Sequence, residues 1–205
     1  MSERGAHRIT LASASPRRLE LLRSLRFDVS VVPSTYEEPE HPLLVPRDLA
    51  ILHARHKCED VRAKLRASPD APGEVIVAAD TVVDVDGIAY NKPADEDDAK
   101  RMLFDLSGRT HLVHTAFALS IPQRNALVEH CESTFVTFFP LDEQQIAEYV
   151  ATGEPMDKAG AYGIQGYGAT LVERIEGDFY TVMGFPLARF VHALRRLGFA
   201  LPITN

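Results

Sequence analysis

Val75-Ile76-Val77-Ala78-Ala79-Asp80-Thr81-Val82-Val83 is the stretch on which the reading of the chain turns. Its first five residues carry no polar side chain, and Val82-Val83 resumes the pattern, so the segment reads as a strongly apolar strand. Asp80 and Thr81 interrupt that strand at its centre. A carboxylate among such neighbours costs several kcal/mol unless a metal, a cation or a chemical role accounts for it. In open α/β sheets such a position faces the crevice where ligands bind. A structural Asp bonded to a neighbouring helix end is the other reading, and the segment alone leaves both open. Asp84 and Asp86 say less, because Asp86-Gly87 is explained as a turn.

Working outward, Ile9 to Ala12 reads as a short buried strand. Ser15-Pro16 then opens a helix carrying Leu19, Leu21, Leu22 and Leu25, with Ser at the N-cap and Pro at the first helical position. Phe27 to Val32 alternates as a second strand, and Pro33 to Pro46 is a loop rich in proline and glutamate. Asp48 to about Leu65 is a long helix, ended by Ser68-Pro69-Asp70-Ala71-Pro72-Gly73. Ala99, Met102, Leu103 and Leu106 predict an amphipathic helix over Asp95 to Leu106, closed by Gly108. His111 to Ile121 and Leu127 to Phe139 predict two antiparallel strands. Asp142 with Gln145 predicts a capped helix ending at Gly153. Thr170 to Ile175 is a further strand, and Leu187, Phe190, Val191, Leu194 and Leu197 mark a last helix. Strands and helices mix throughout, so the expectation is one α/β (α+β) domain over 1–205 with a central mixed β-sheet flanked by helices.

Composition agrees with that class. The 205 residues are 45% hydrophobic and 25% charged, which excludes disordered, collagen-like and repeat-array chains. No apolar run approaches the ~18–20 residues that a membrane span needs. Met1 to Ile9 has Arg4 and Arg8 but no apolar block behind them, so no secretory leader and no membrane association is expected. Cys58 and Cys131 lack a nucleophile signature and read as packing residues, in keeping with a reducing cytoplasm. Net charge is −7. Six Arg against three acids make the stretch from Met1 to Ser30 basic, whereas ten acids against three cations make Asp70 to Asp105 acidic. No continuous basic stripe results, so a stable nucleic-acid complex is not expected. A small substrate carrying phosphates and a metal ion suits the division better.

Two further places stand out. In Ser13-Ala14-Ser15-Pro16-Arg17-Arg18 both arginines fall in the first turn of a helix, the wrong sign for its dipole by ~0.3–1 kcal/mol each. Either they are solvated beside an ordinary cap, or an anion gathers the backbone N–H groups, hydroxyls and guanidinium forks around phosphate oxygens. Thr152 to Gly168 holds five Gly in 17 residues. That density allows close backbone approach, with Lys158 and Gln165 placed to use it, or else marks a surface loop. It lacks the Walker pattern. His53 and His56 read as solvent-facing among Arg55 and Lys57, and His111 and His114 fall on opposite faces of a strand, unable to share a metal.

SASPRR (13–18), AADTVV (78–83), NKP (91–93), LSGRTHLVHT (106–115) and DKAGAYGIQG (157–166) together resemble the Maf family of nucleoside triphosphate pyrophosphatases, historically tied to septum formation. The motifs span nearly the whole chain in the family's order. The resemblance implies two lobes with an active-site cleft between them. It implies hydrolysis of a nucleoside triphosphate to monophosphate and pyrophosphate with a divalent cation, Mg²⁺ or Mn²⁺. Asp80 matches the family's presumed proton acceptor, and Asp80 with Glu38 its metal-holding acids. Ser13, Arg18, Lys57, Lys92 and Lys158 match, or accompany, its phosphate contacts. Arg17, Thr81 and Gln165 match the residues of the branch acting on dTTP and UTP. The readings left beside it are a 7-methyl-GTP or purine-type pyrophosphatase and a non-enzymatic nucleotide-binding regulator; a homodimer stays open as the assembly.

Overall fold

A computed structural model describes residues 8–39, 41–66 and 75–202. The turn expected at Ser68 to Gly73 lies outside them. In chain order the elements are β1 (Arg8–Leu11), α1 (Pro16–Ser24), β2 (Asp28–Val31), α2 (Pro46–Arg66), β3 (Val75–Val85), β4 (Ile88–Tyr90) and α3 (Glu96–Leu106). There follow β5 (Thr110–Ile121), β6 (Ala126–Phe138), α4 (Glu143–Ala151), β7 (Val172–Glu176), α5 (Phe179–Met183) and α6 (Leu187–Arg196). The seven strands form one mixed sheet in the order β2-β1-β3-β5-β6-β7, with β4 on β3. β2, β1 and β3 run parallel, while β3 is antiparallel to β4 and β5, and β5-β6-β7 continue antiparallel. The expected mixed sheet and α/β class are what the chain forms.

β3 explains why its sequence is apolar on both parities. Ile76, Ala78 and Val82 pack under Ala50, Ala54, Cys58 and Val61 of α2. Val75, Val77 and Ala79 face the other way, against Leu21 and Leu22 of α1 and Phe190 and Leu194 of α6. Val83 and Val85, on that same second face, belong to a separate cluster with Met102 and Leu103 of α3 and Ile146 and Tyr149 of α4. A strand covered by helices on both faces needs aliphatic side chains at every position. Cys58 and Cys131 are buried and unbridged in the α2 cluster, with burial pushing their thiols up to about 12 and about 11, as packing residues require.

Local signals hold at most element ends. Asp95 accepts the Asp98 N–H at the start of α3. Asp142 and Gln145 complete a reciprocal capping box on α4, which satisfies two N–H groups of the helix start. Two elements have no sequence counterpart, the short β4 and the single-turn-scale α5. Both are too brief for a periodic pattern and are held by their neighbours.

His111 is the least comfortable buried group of the sheet. It is 4% exposed, its Nε2 lies 2.8 Å from the Tyr162 hydroxyl, and its Nδ1 is enclosed without a partner. Burial, with Arg109 adding to it, pushes its pKa down to about 4. The folded protein keeps His111 neutral where the unfolded chain takes up a proton near pH 6.5, so this stability is complete above that pH and is lost as pH falls towards 4. His111 should make the protein about 2 kcal/mol less stable at pH 5 than at pH 7. Urea unfolding at the two pH values measures the loss, which His111→Gln should diminish.

Candidate active site

The site begins at a gap in the sheet. β1 ends at Leu11, opposite Val77, and β4 joins only at Val83, opposite Tyr90. Between them Ala78 to Val82 have no strand neighbour on that edge among the described residues, although β5 pairs the other edge throughout. Asp80 shares the α2 face with Ala78 and Val82, and Thr81 shares the opposite face between the two clusters. A cavity of about 800 Å³ opens there, lined also by the β1–α1 turn, the 33–38 loop, Lys57, Asn91, Lys92 and the 157–165 segment. This is the crevice at the carboxyl ends of parallel strands that open α/β sheets present.

Asp80 is 6% exposed and does not face the apolar core alone. The ammonium of Lys57, on α2, donates to its Oδ1 at 2.6 Å and lies 2.6 Å from Glu38 Oε1. Asp80 Oδ2 has no hydrogen-bond partner among the described residues. Burial raises the Glu38 pKa, but the Lys57 charge and hydrogen bond outweigh it, with help from His53 and Lys92, so the net shift is downward. Two carboxylate oxygens thus converge on one cationic point. Among the described residues no group of three or more His, Cys, Asp or Glu could hold a metal. Hard oxygen donors in this number fit a cation of the Mg²⁺ type that completes its shell with phosphate oxygens and water.

His53 corrects an expectation. It is 3% exposed on the inner side of α2, with Nδ1 3.2 Å from the Tyr36 hydroxyl, whereas its charged neighbours in sequence suggested solvent. Burial lowers its pKa. Helix phase, not composition, decides which of His53, Arg55, His56 and Lys57 turn inward.

Ser15 occupies the α1 N-cap, yet its side chain makes no capping bond; the Ser13 hydroxyl instead accepts the Ser15 N–H at 3.2 Å. Arg17 and Arg18 do fall in the first turn. Arg18 reaches across the gap. Its Nη1 donates to the Ala79 carbonyl at 2.7 Å and to Ser13 Oγ at 3.2 Å, its Nε to the Gly184 carbonyl at 2.9 Å, and its Nη2 to Thr81 Oγ1 at 3.2 Å. Four of its five N–H groups are therefore spent on protein, leaving one on Nη2. Burial lowers the Arg18 pKa against the opposing pull of Asp80. The open fork expected at the helix start is largely closed by the sheet edge.

Arg17 Nη1 lies 3.4 Å from Asp157 Oδ2, and Asp157 Oδ1 lies 2.6 Å from the Lys158 ammonium, which also donates to the Glu154 carbonyl. Lys92 and Gln165 line the same cavity, and Lys92 has no carboxylate within ion-pair distance among the described residues. Every site residue named from the sequence thus borders this one cavity.

The glycine-rich segment approaches protein. Gly160 has φ +68°, and a Cβ there would lie 2.8 Å from Val83 Cγ2; a Cβ on Gly168 would lie 2.1 Å from the Gly163 carbonyl oxygen. The glycines let the segment fold onto β3 and onto itself, which sets Lys158 and Gln165 at the cavity wall. Sequence reasoning missed Glu154, whose carboxylate accepts the Tyr167 and Gly168 N–H groups, and Asp157. It also missed Thr115, whose place at the end of LSGRTHLVHT was the only signal.

Comparison with known proteins identifies the relatives of the chain. A family model described as "Maf-like protein" matches residues 8–197. The chain is 46% identical to the dTTP/UTP pyrophosphatase of Bacillus velezensis over 191 residues, 93% of this chain and 97% of that one. It is 47% identical to the dTTP/UTP pyrophosphatase of Thermus thermophilus, covering 93% and 95%. With the protein of the same name from Methanosarcina mazei the identity is 44%, covering 93% and 94%. A chain matched from β1 to the end of α6, with all five motifs gathered at one cavity, belongs to the Maf-like protein family.

Proposed function

We propose that this protein hydrolyses nucleoside triphosphates, dTTP and UTP foremost, to the nucleoside monophosphate and pyrophosphate. The observation that carries the reading is the Asp80 carboxylate, with one oxygen free at a cavity that five cations border: Arg17, Arg18, Lys57, Lys92 and Lys158. The names of the relatives support it. Water adds its oxygen to the α-phosphorus, the α–β anhydride bond breaks, and the pyrophosphate leaves with that electron pair. Asp80 Oδ2 orients the water and takes its proton, a role worth ~10²–10⁴-fold in rate.

Lys57, Lys92, Lys158, Ser13 and the remaining Arg18 N–H bind the triphosphate and spread its charge. Asp80 and Glu38 would hold Mg²⁺ or Mn²⁺, which when bound supplies further positive charge against the phosphates. Arg17, Thr81 and Gln165 choose the base. The Gln165 amide offers a donor and an acceptor together, matching the O4 and N3–H edge of uracil or thymine, whereas cytosine presents an amino donor and a bare N3. The reading places the enzyme in a reducing cytoplasm with a small-molecule substrate and no stable nucleic-acid complex. No helix among the described residues is long and apolar enough to cross a membrane.

Pyrophosphate release from dTTP and UTP in the presence of Mg²⁺ tests the activity; no release from any triphosphate would sink it. Asp80→Asn keeps the volume and removes the charge, so kcat should fall at least ~100-fold while the unfolding midpoint stays level or rises. Mutant turnover near wild type removes Asp80 from the chemistry. Wild type should prefer dTTP and UTP over CTP by roughly tenfold or more, because a mismatched base leaves buried polar groups unpaired. Gln165→Leu should erode that preference in kcat/KM more than it lowers the rate on UTP. An equal loss on all substrates would take Gln165 out of base recognition.

A further inference from the structure

Thr115 sits on β5, fully buried behind Thr81, and touches no face of the cavity. Its Oγ1 lies 2.7 Å from the Thr181 carbonyl oxygen and 3.0 Å from Thr81 Oγ1. A hydroxyl carries one proton, and a carbonyl oxygen can only accept. The 2.7 Å contact therefore uses the Thr115 proton, and the 3.0 Å contact must use the proton of Thr81. Thr81 in turn accepts from Arg18 Nη2 at 3.2 Å. The chain of donors runs one way, from Arg18 to Thr81 to Thr115 to the Thr181 carbonyl, and each bond polarises the next.

Both ends of that chain are fixed to α5. Thr181 carries Asp178 as its cap, through Thr181 N and Oγ1 at 2.8 Å each, and its carbonyl also accepts the Gly184 N–H at 3.0 Å. Gly184, at φ +103°, gives its own carbonyl to Arg18 Nε, and a Cβ there would come within 3.3 Å of Thr81 Oγ1. A closed ring of hydrogen bonds thus sets the plane of the Arg18 guanidinium and the direction of its one uncommitted N–H.

We propose that Thr115 is a positioning residue for substrate binding: by taking the Thr81 proton it keeps Thr81 an acceptor, which holds Arg18 with its free N–H directed at the phosphates. This rests on the phosphate-binding reading of the cavity. It assigns Thr81 an action through Arg18, beside any contact with the base. Without the Thr115 hydroxyl, the Thr81 proton has no inward acceptor and turns towards Arg18, donor against donor, and the guanidinium loses its fixed plane.

The test is calorimetric binding of pyrophosphate, which needs no turnover, alongside kinetics on UTP. Thr115→Val, nearly isosteric, should weaken pyrophosphate binding and raise KM for UTP by about tenfold, with kcat changed by less than about threefold. Thr115→Ser should restore both values, and Thr115→Ala, which adds no bulk, should repeat the Val result if Val perturbs folding. In an Arg18→Ala background, Thr115→Val should weaken pyrophosphate binding no further, since the two act as one unit. Equal behaviour of the Val and Ser variants, full additivity with Arg18→Ala, or no pyrophosphate binding by wild type each overturns the proposal. Loss of kcat with unchanged binding overturns it too. Pyrophosphate binding without hydrolysis of any triphosphate would instead fault the proposed activity and leave this arrangement standing.

Discussion

The edge of β3 between Val77 and Val83 is the constraint on which the rest depends. A strand at the centre of a sheet normally spends its backbone groups on two neighbours, and an unpaired buried group costs about as much as a lost hydrogen bond. Here β1 stops at Leu11 and β4 starts late, so the Ala79 carbonyl faces a gap. The Arg18 guanidinium fills that place. One side chain thereby closes the sheet edge, ties α1 to it and brings a positive charge to the point where Asp80 emerges. The cavity exists because the gap is closed by a side chain and not by a strand.

Charge balance around the cavity follows from this arrangement. Five cations meet three carboxylates, Glu38, Asp80 and Asp157, each of which already contacts a lysine. A low-dielectric wall strengthens such contacts, and it also makes any uncompensated charge expensive. Lys57 between two carboxylates is thus a neutralising arrangement for the free protein. The surplus of cations, Lys92 foremost, is the part that an anionic substrate completes. The helix N-terminus of α1 contributes in the same sense, since its first turn carries no acid and two arginines.

The packing shows how the fold divides the work. The face of β3 that carries Ala79 and Val83 belongs to two separate apolar clusters, and Thr81 lies at their boundary. Gly160 presses against Val83 on one side of that boundary, while on the other Gly184 approaches Thr81 and the Thr181 carbonyl meets Thr115. Polar residues are tolerated there because every hydroxyl proton has an acceptor. The threonine chain is buried yet fully bonded, and it runs from the substrate side to the backbone of α5.

The sequence by itself determined the elements, the brief β4 and α5 excepted, and the identity of the charged groups. Period and caps set α3 and α4, the apolar runs on either side of Asp80-Thr81 set β3, and Asp80 was conspicuous as a carboxylate following five apolar residues. These are local properties, fixed by neighbours within a turn or a strand. Tertiary structure alone decided what each group meets. His53 turned inward because the phase of α2 sets it against Tyr36 and His41, and four of the Arg18 N–H groups went to partners as distant as Gly184. The glycine-rich segment spends its freedom on Val83 and on itself, and Thr115, ordinary in its strand, acquires a role only beside Thr81 and Thr181. Hydrogen-bond direction depends on pairs of atoms brought together from far along the chain, and no periodicity encodes it.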